Sequence, residues 1–424
     1  MRIVYLNPRG QMGGAEVALL EILASIRAAQ PEWKLNLIVS GEGPLGASAR
    51  VLGVETVVLP FPPSLARIGD AAVSGPAGQG VSQARLLARL LLASAGIANY
   101  VTKLRKELRR LDVQVIHANG FKMHILGALA KPASVPLVWH IHDYLSSRPF
   151  MVRLMKLLYR RCAIVLTNSN SVKLDIETVC GNTVPIKTVY NSVDTRVFSP
   201  DGPSLDLDQL SGLTPPPNSV VRVGMLATFA RWKGHEVFLR ALSLLPADLP
   251  FRGYIIGDAL YQTDGSQYSV AELKAVAEKL GITDRVGFTG FVAEPAAAMR
   301  SLDIVAHAST QPEPFGLVII EGMACGRAVI ASEAGGAAEL IQTKLRPNST
   351  GISTSIATET NALGHPPGNA AQLAERIAQL AADPSLRTRL GAAGRATVEQ
   401  RFNRQRLARE LIPIYQSLTA EAVC

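Results

Sequence analysis

Residues 301–332 read SLDIVAHASTQPEPFGLVIIEGMACGRAVIAS. A short β-branched run, Asp303 to Ala308, meets a polar Ser-Thr-Gln-Pro turn; an apolar segment opens on Pro314 and gives out at Gly326, and a second β-branched run, Ala328 to Ser332, follows. Proline in the first helical turn costs no hydrogen bond, because its missing N–H would have no partner there. The middle segment therefore reads as a helix running through Met323 and Ala324. Strand, helix and strand at this spacing form a βαβ unit, and strands that are apolar on both faces belong to a parallel sheet covered on both sides.

The same alternation extends in both directions. Val4–Asn7, Leu35–Ser40, Thr56–Leu59, Val113–Ala118, Leu137–His142, Ile164–Asn168 and Ile186–Tyr190 read as strands in the first half; Val221–Ala227, Gly253–Gly257 and Val286–Thr289 join the two runs above in the second. Helical periods lie between them at Ala15–Ala29, Leu86–Arg110, His235–Leu245, Val270–Leu280 and Leu373–Ala381. Residues 201–219, DGPSLDLDQLSGLTPPPNS, are polar, Pro-rich and aperiodic, and mark a domain boundary. The expected architecture is α/β, with two doubly wound Rossmann-like domains. Pro60–Ser82 and Gln342–His365 are long irregular stretches, of the kind that is usually functional or mobile.

The chain has 424 residues, of which 48% are hydrophobic and 18% charged, which excludes a disordered or collagen-like protein. Its four cysteines are scattered without a C-x-x-C pair, so no zinc or redox motif is present and a reducing compartment is expected. The N-terminus MRIVYLNPRG lacks the h-region of a secretory signal, and Leu86–Val101 is interrupted by Arg89 and Asn99, short of a membrane span. Residues 1–200 carry 23 Lys+Arg against 12 Asp+Glu (+11), whereas residues 201–424 carry 20 against 22 (−2). A cationic first half implies an anionic partner: a phosphorylated or lipid-linked acceptor, or a membrane leaflet. With aromatics at 5% and no zinc-finger or RNP-type motif, nucleic acid is not expected.

Glu313 sits at the strand-to-helix turn. Behind it the first-turn amides of Phe315, Gly316 and Leu317 have no intrahelical acceptor, and the helix dipole favours an anion there, so a phosphate can dock. Glu321 lies one turn beyond Leu317 on the same face. Two carboxylates beside one anion site are sensible if each accepts hydroxyl protons from a sugar flanking the phosphate. As isolated features they are a helix-start acid and a solvated helix acid; the apolar neighbours of Glu321 weigh against the second reading.

Elsewhere, Gly13 and Gly14 separate the first strand from the first helix, where glycine lets backbone approach a phosphate or simply makes a turn. Lys233 precedes Gly234 and a helix, where it can reach a diphosphate as a point charge, and Arg231 can add a fork of donors; singly, both read as surface charges. His140 and His142 share a face at a strand end, but the remaining histidines offer no supporting cluster, and no metal site is expected. Asp206-Leu-Asp208 lies in the linker and not after a Rossmann strand. The basic runs Lys103–Arg110 and Arg153, Lys156, Arg160 and Arg161 read as solvated faces, or as a membrane-docking surface with Leu90, Leu91 and Leu92 dipping into lipid.

The Glu313-to-Glu321 motif, EPFGLVIIEGMACG, resembles the donor site of the retaining family-4 glycosyltransferases, which have the GT-B fold. Met12–Glu16 (MGGAE), Thr167–Val172 (TNSNSV), Val189–Asp194 (VYNSVD), Arg231–Gly234 (RWKG), Gly335–Leu340 (GGAAEL) and His365–Asn369 (HPPGN) are similar to further family motifs and occur in the family's order. The resemblance implies two Rossmann-like domains facing a cleft: residues 1–205 binding acceptor, 206–400 binding nucleotide sugar, and a C-terminal helix within 401–424 returning to the first domain. It implies that Gly290 and Phe291 hold the base through backbone groups, that His142 lies under the transferred sugar with Asp143 orienting it or capping the next loop, and that Glu313, Lys233 and His142 are the catalytic set. The donor is a UDP-, GDP- or ADP-linked sugar, with neither cofactor nor metal. Thr228 departs from the family, which usually carries an arginine five positions before the lysine.

The expected activity is thus retaining hexosyl transfer to a hydroxyl acceptor in polysaccharide, glycolipid or other glycoconjugate synthesis, in the cytoplasm or at the inner face of a membrane. An epimerase or hydrolase of the same fold, or an inactive nucleotide-sugar-binding scaffold, are the rival readings.

Overall fold

The structure is a computed structural model; it describes every residue except 67–82, 217, 260–265, 342–359 and 422–424, and only the backbone of 64, 66, 83–93 and 421. The chain forms two compact units, Met1–Ser192 with Arg404–Cys424, and Val193–Asn403.

The first unit holds β1 (Arg2–Asn7), β2 (Lys34–Val39), β3 (Glu55–Val58), β4 (Val115–Asn119), β5 (Leu137–Ile141), β6 (Ile164–Thr167) and β7 (Ile186–Thr188). They make one parallel sheet in the order β3-β2-β1-β4-β5-β6-β7. Alternate residues fill two cores: Val4, Leu6, Ile116, Ala118, Leu137 and Trp139 on one face, Ile3, Tyr5, Leu37, Val39, Val115 and Val138 on the other. The second face is covered by helices Gly14–Ala29 and Arg404–Glu421, the latter through Leu407, Leu411, Ile414 and Tyr415. Arg404 anchors that helix by two hydrogen bonds of 2.6 and 2.8 Å to Glu21, and Arg406 donates to the carbonyls of Tyr190 and Asn191.

The second unit holds β8 (Val221–Leu226), β9 (Phe251–Ile256), β10 (Val286–Gly290), β11 (Ile304–His307), β12 (Ala328–Ser332) and β13 (Leu363–His365), a parallel sheet in the order β10-β9-β8-β11-β12-β13. β13 lies in the stretch read from sequence as an irregular loop: three residues are too few to show a period, and pairing with β12 creates the strand. The change of unit falls at Ser192, ahead of the linker. Residues 193–205 are held in the second unit because Arg300 donates to the carbonyls of Val197, Ser199 and Pro203, and Arg395 to those of Thr195 and Phe198.

In each sheet the chain runs outward over three strands and then returns to the other side of the first. The reversal lies between β1 and β4 in one unit and between β8 and β11 in the other. In open α/β sheets such a switch point, at the carboxyl ends of the strands, is where ligands bind.

Candidate active site

At the second unit's switch point the loops after β8 and β11 meet. The loop after β8 carries Arg231-Trp232-Lys233 in a single 3-10 turn, and Gly234 follows with φ 82°. A side chain at Gly234 would land on the carbonyl oxygen of Ala308, so only glycine allows this approach. Thr310 N–H donates to Trp232 O over 2.8 Å, which laces the two loops together.

Across that seam Lys233 Nζ reaches both carboxylate oxygens of Glu313, at 3.0 and 2.7 Å. Glu313 Oε2 also accepts from Ser309 Oγ (2.9 Å) and His307 Nε2 (3.3 Å). Ser332 N–H donates to His307 Nδ1 over 3.3 Å, which leaves the imidazole proton on the nitrogen facing Glu313. The Glu313 backbone is pinned as well, by Glu313 N to Ala334 O and Gly336 N to Glu313 O (2.7 Å), so the Gly335-Gly336 segment clamps the turn. Burial alone would raise the Glu313 carboxyl, but Lys233 and the His307 hydrogen bond outweigh it and hold the group well below the usual carboxylate range. His307, Ser309 and Ser332 were missed by sequence reading; the alternation that puts His307 at the end of β11 was the available signal.

The helix Leu317–Ala324 is capped by Gly316, whose φ is 99°, so Pro314 and Phe315 lie ahead of it and, of the three amides expected in its first turn, only that of Leu317 is there. The Phe315 ring is buried edge-on against Phe402, with ring centroids 6.1 Å apart, so Phe315 and Gly316 anchor the turn and Leu317 is half-buried at the helix start. Glu321 is half-buried further along the same helix. Arg231 stands apart from Lys233's partner: its guanidinium pairs with Glu272 at 2.8 Å and lies 4.4 Å over the Tyr268 ring. Gly290 closes β10 and its carbonyl accepts from Gly257 N–H, while the next side chain, Phe291, is 66% exposed.

In the first unit Gly13 is the extended cap residue before the helix that Gly14 begins. His142 follows β5. Its Nε2 lies 3.4 Å from Asn119 Oδ1, and its ring centroid is 4.0 Å from that of His140. His140 Nδ1 meets His117 Nε2 at 3.2 Å, and His117 Nδ1 meets the Tyr415 hydroxyl at 2.8 Å. Burial pushes His142 down to about 4 and His117 and His124 to about 3, so the cluster is neutral. Asp143 caps Tyr144 N–H and pairs with Arg148 at 2.6 Å, which favours the loop-capping role over the orienting one.

Asp206 caps Gln209 N–H, and Asp208 is enclosed by Arg222, Arg252 and Tyr254. Among the described residues no cluster of three His, Cys, Asp or Glu side chains could hold a metal ion, and no helix is long and apolar enough to cross a membrane. Leu90, Leu91 and Leu92 lie outside the described side chains.

Two family models match in tandem: Glycosyltransferase Family 4 over residues 12–197, and Glycosyl transferases group 1 over residues 215–397. The chain is 30% identical over 268 residues to a lipopolysaccharide core biosynthesis mannosyltransferase of Rhizobium leguminosarum bv. viciae, covering 63% of this chain and 68% of that enzyme. It is 23% identical over 325 residues to the N-acetyl-alpha-D-glucosaminyl L-malate synthase of Bacillus anthracis, covering 74% and 77%. Among solved structures, Anabaena HepE in complex with UDP and glucose superposes with a TM-score of 0.75 at 26% identity, over 98% of this chain and all of that one. With both halves matched in the family's order, the chain belongs to the family-4 glycosyltransferases of GT-B fold and is a retaining hexosyltransferase that draws on a nucleotide-sugar donor.

Proposed function

We propose that the second unit binds a uridine diphosphate hexose at the rim between β8 and β11, and that the first unit binds the hydroxyl acceptor. The meeting of Lys233 and Glu313 at the switch point carries this reading. The diphosphate lies over the amides of Phe315, Gly316 and Leu317, with Lys233 supplying a cation and Glu313 and Glu321 accepting sugar hydroxyls on either side. Arg231 adds donors only if it leaves Glu272. Gly13 and Gly14 admit the phosphate from the first unit, Gly290 and Phe291 frame the base, and His142 lies under the transferred sugar. HepE's complexes with UDP and UDP-glucose support uridine among the nucleotides.

In the reaction the bond between the sugar's C1 and the diphosphate oxygen breaks, a bond from C1 to the acceptor oxygen forms on the same face, and the acceptor proton passes to the departing phosphate. Fixed amides and Lys233 stabilise the charge that develops on the leaving group. The acceptor is anionic or lipid-linked, and the first unit docks on an anionic leaflet: Arg153, Lys156, Arg160 and Arg161 are exposed around Leu157, which is 80% exposed.

Thermal-shift titration with UDP-, GDP- and ADP-hexoses tests the donor, because a ligand that binds only the folded state raises the melting temperature. A shift with UDP-glucose that Lys233→Met and Glu313→Gln both weaken supports the site; equal shifts in wild type and both variants refute it. Rapid nucleotide release without acceptor would favour hydrolysis over transfer.

A further inference from the structure

A neutral imidazole has one donor and one acceptor nitrogen, and the hydrogen bond made by one assigns the other. Asn119 ends β4 and His142 follows β5, its strand neighbour in the sheet, and they meet through Asn119 Oδ1 and His142 Nε2. The His142 backbone is held independently, since Asn168 Nδ2 donates to His142 O over 3.3 Å. His140 covers one side of the ring, and His117, His140 and His124 are the titratable groups around it; His124 Nε2 is spent on the carbonyls of Ala118 and His140. Asp143, the nearby acid, is turned to Arg148. His142 Nδ1 is buried and has no partner.

We propose that Asn119 is a positioning residue that fixes His142 as the Nε2–H tautomer, so that Nδ1 presents a lone pair and selects a hydroxyl, rather than a phosphate oxygen, on the bound sugar. A carbonyl-type oxygen can only accept, so it locks the proton on Nε2; the lone pair left on Nδ1 then attracts an O–H and repels an oxyanion. This rests on the proposed placement of His142 beside the sugar, but its core is a statement about one proton in the full chain.

Long-range proton–nitrogen correlation spectra of 15N-histidine-labelled protein, assigned with His142→Gln, locate that proton. Nε2–H in the wild type is expected, and Nδ1–H overturns the proposal. Asn119→Asp keeps an acceptor in place and adds a charge, so it should retain the tautomer and move the acidic limb of kcat/KM to higher pH. Asn119→Leu should mix the tautomers and lower kcat/KM about tenfold. Identical pH profiles and rates for the two variants would show mere packing and overturn the assignment. Failure of nucleotide sugars to stabilise the protein would sink the donor reading, while the spectra would still decide this one.

Discussion

Lys233 Nζ grips both carboxylate oxygens of Glu313 although the residues stand 80 apart in sequence and follow different strands. The Lys233 cation therefore has a resident counter-ion, which His307 and Ser309 support from behind. In the donor site proposed above, a diphosphate competes with Glu313 for that cation.

Lys233→Met should cost more stability than Glu313→Gln, since it leaves a buried carboxylate without its cation. The cost is expected near the low end of ~3–5 kcal/mol, because Lys233 retains some exposure to water. The double variant should be less destabilised than the sum of the singles, by about 1 kcal/mol or more. Urea unfolding checks this, and strict additivity would mean that the pair is not coupled.

The first unit should lose stability in mild acid. Its four histidines, three buried and His142 half-buried, are depressed: His142 to about 4, His117 and His124 to about 3, and His140 in the same direction, all chiefly by loss of water. A histidine held neutral contributes stability above its unfolded value of 6.5, and that contribution falls as pH drops from 6.5 towards the folded value. Below 6.5 the unfolded chain binds the extra protons, at up to ~1.4 kcal/mol per pH unit for each group. Urea midpoints followed by Trp139 fluorescence between pH 7 and 4 should fall steeply, and less steeply in His142→Gln. A flat profile would contradict the buried-neutral assignment.

Much of this was legible from residue pattern. β-branched runs between turn residues located twelve of the strands because fully buried parallel strands are apolar on both faces. The EPFG turn announced the Glu313 site, although its proline lies ahead of the helix, which Gly316 caps, and not in the first helical turn. What the pattern could not carry was anything made by two distant segments: the pairing that turns Leu363–His365 into a strand, the arginines that draw residues 193–205 into the second unit, and the grip of Lys233 on Glu313. Of the two roles implied for Asp143, the loop cap is the one seen, and the hydrogen-bond neighbour of His142 lies on another strand, at Asn119.

Gly234→Ala should damage the proposed donor rim more than any exposed substitution. The residue needs φ 82°, and its added methyl would meet the Ala308 carbonyl, a backbone group that cannot turn aside. The loops after β8 and β11 would separate, taking Lys233 from Glu313. Stability should fall by at least ~1 kcal/mol, and nucleotide-sugar affinity should fall with it. Retained affinity, read by calorimetry, would show that the seam is not needed.

If the basic helix Pro149–Leu158 docks on anionic lipid, Leu157→Ser and the pair Lys156→Ser with Arg160→Ser should each reduce sedimentation with phosphatidylglycerol vesicles, the charge variant losing most of its salt dependence. Neither should alter melting temperature by more than a degree or two, since all three side chains are exposed. Equal sedimentation of all proteins would remove the membrane from this surface.

Asp208 tests the other way of handling a diphosphate. An Asp-x-Asp pair could ligate a metal only with free oxygens, yet Asp208 Oδ2 accepts from Arg222 at 2.8 Å, and Oδ1 from Arg252 at 2.9 Å and from Tyr254 at 2.7 Å. Burial works against its charge, and these three partners reverse that and lower its pKa. The Leu207–Ser211 turn is thereby locked to β8 and β9. Asp208→Asn leaves two arginines facing a neutral amide, so it should destabilise the protein by ~3 kcal/mol. Because the charge is spent on arginine, turnover at a temperature where the variant is folded should match wild type, and a chelator should change neither. Turnover that collapses in Asp208→Asn and returns on adding manganese would assign Asp208 to the chemistry and overturn the proposed place of Lys233 at the phosphate.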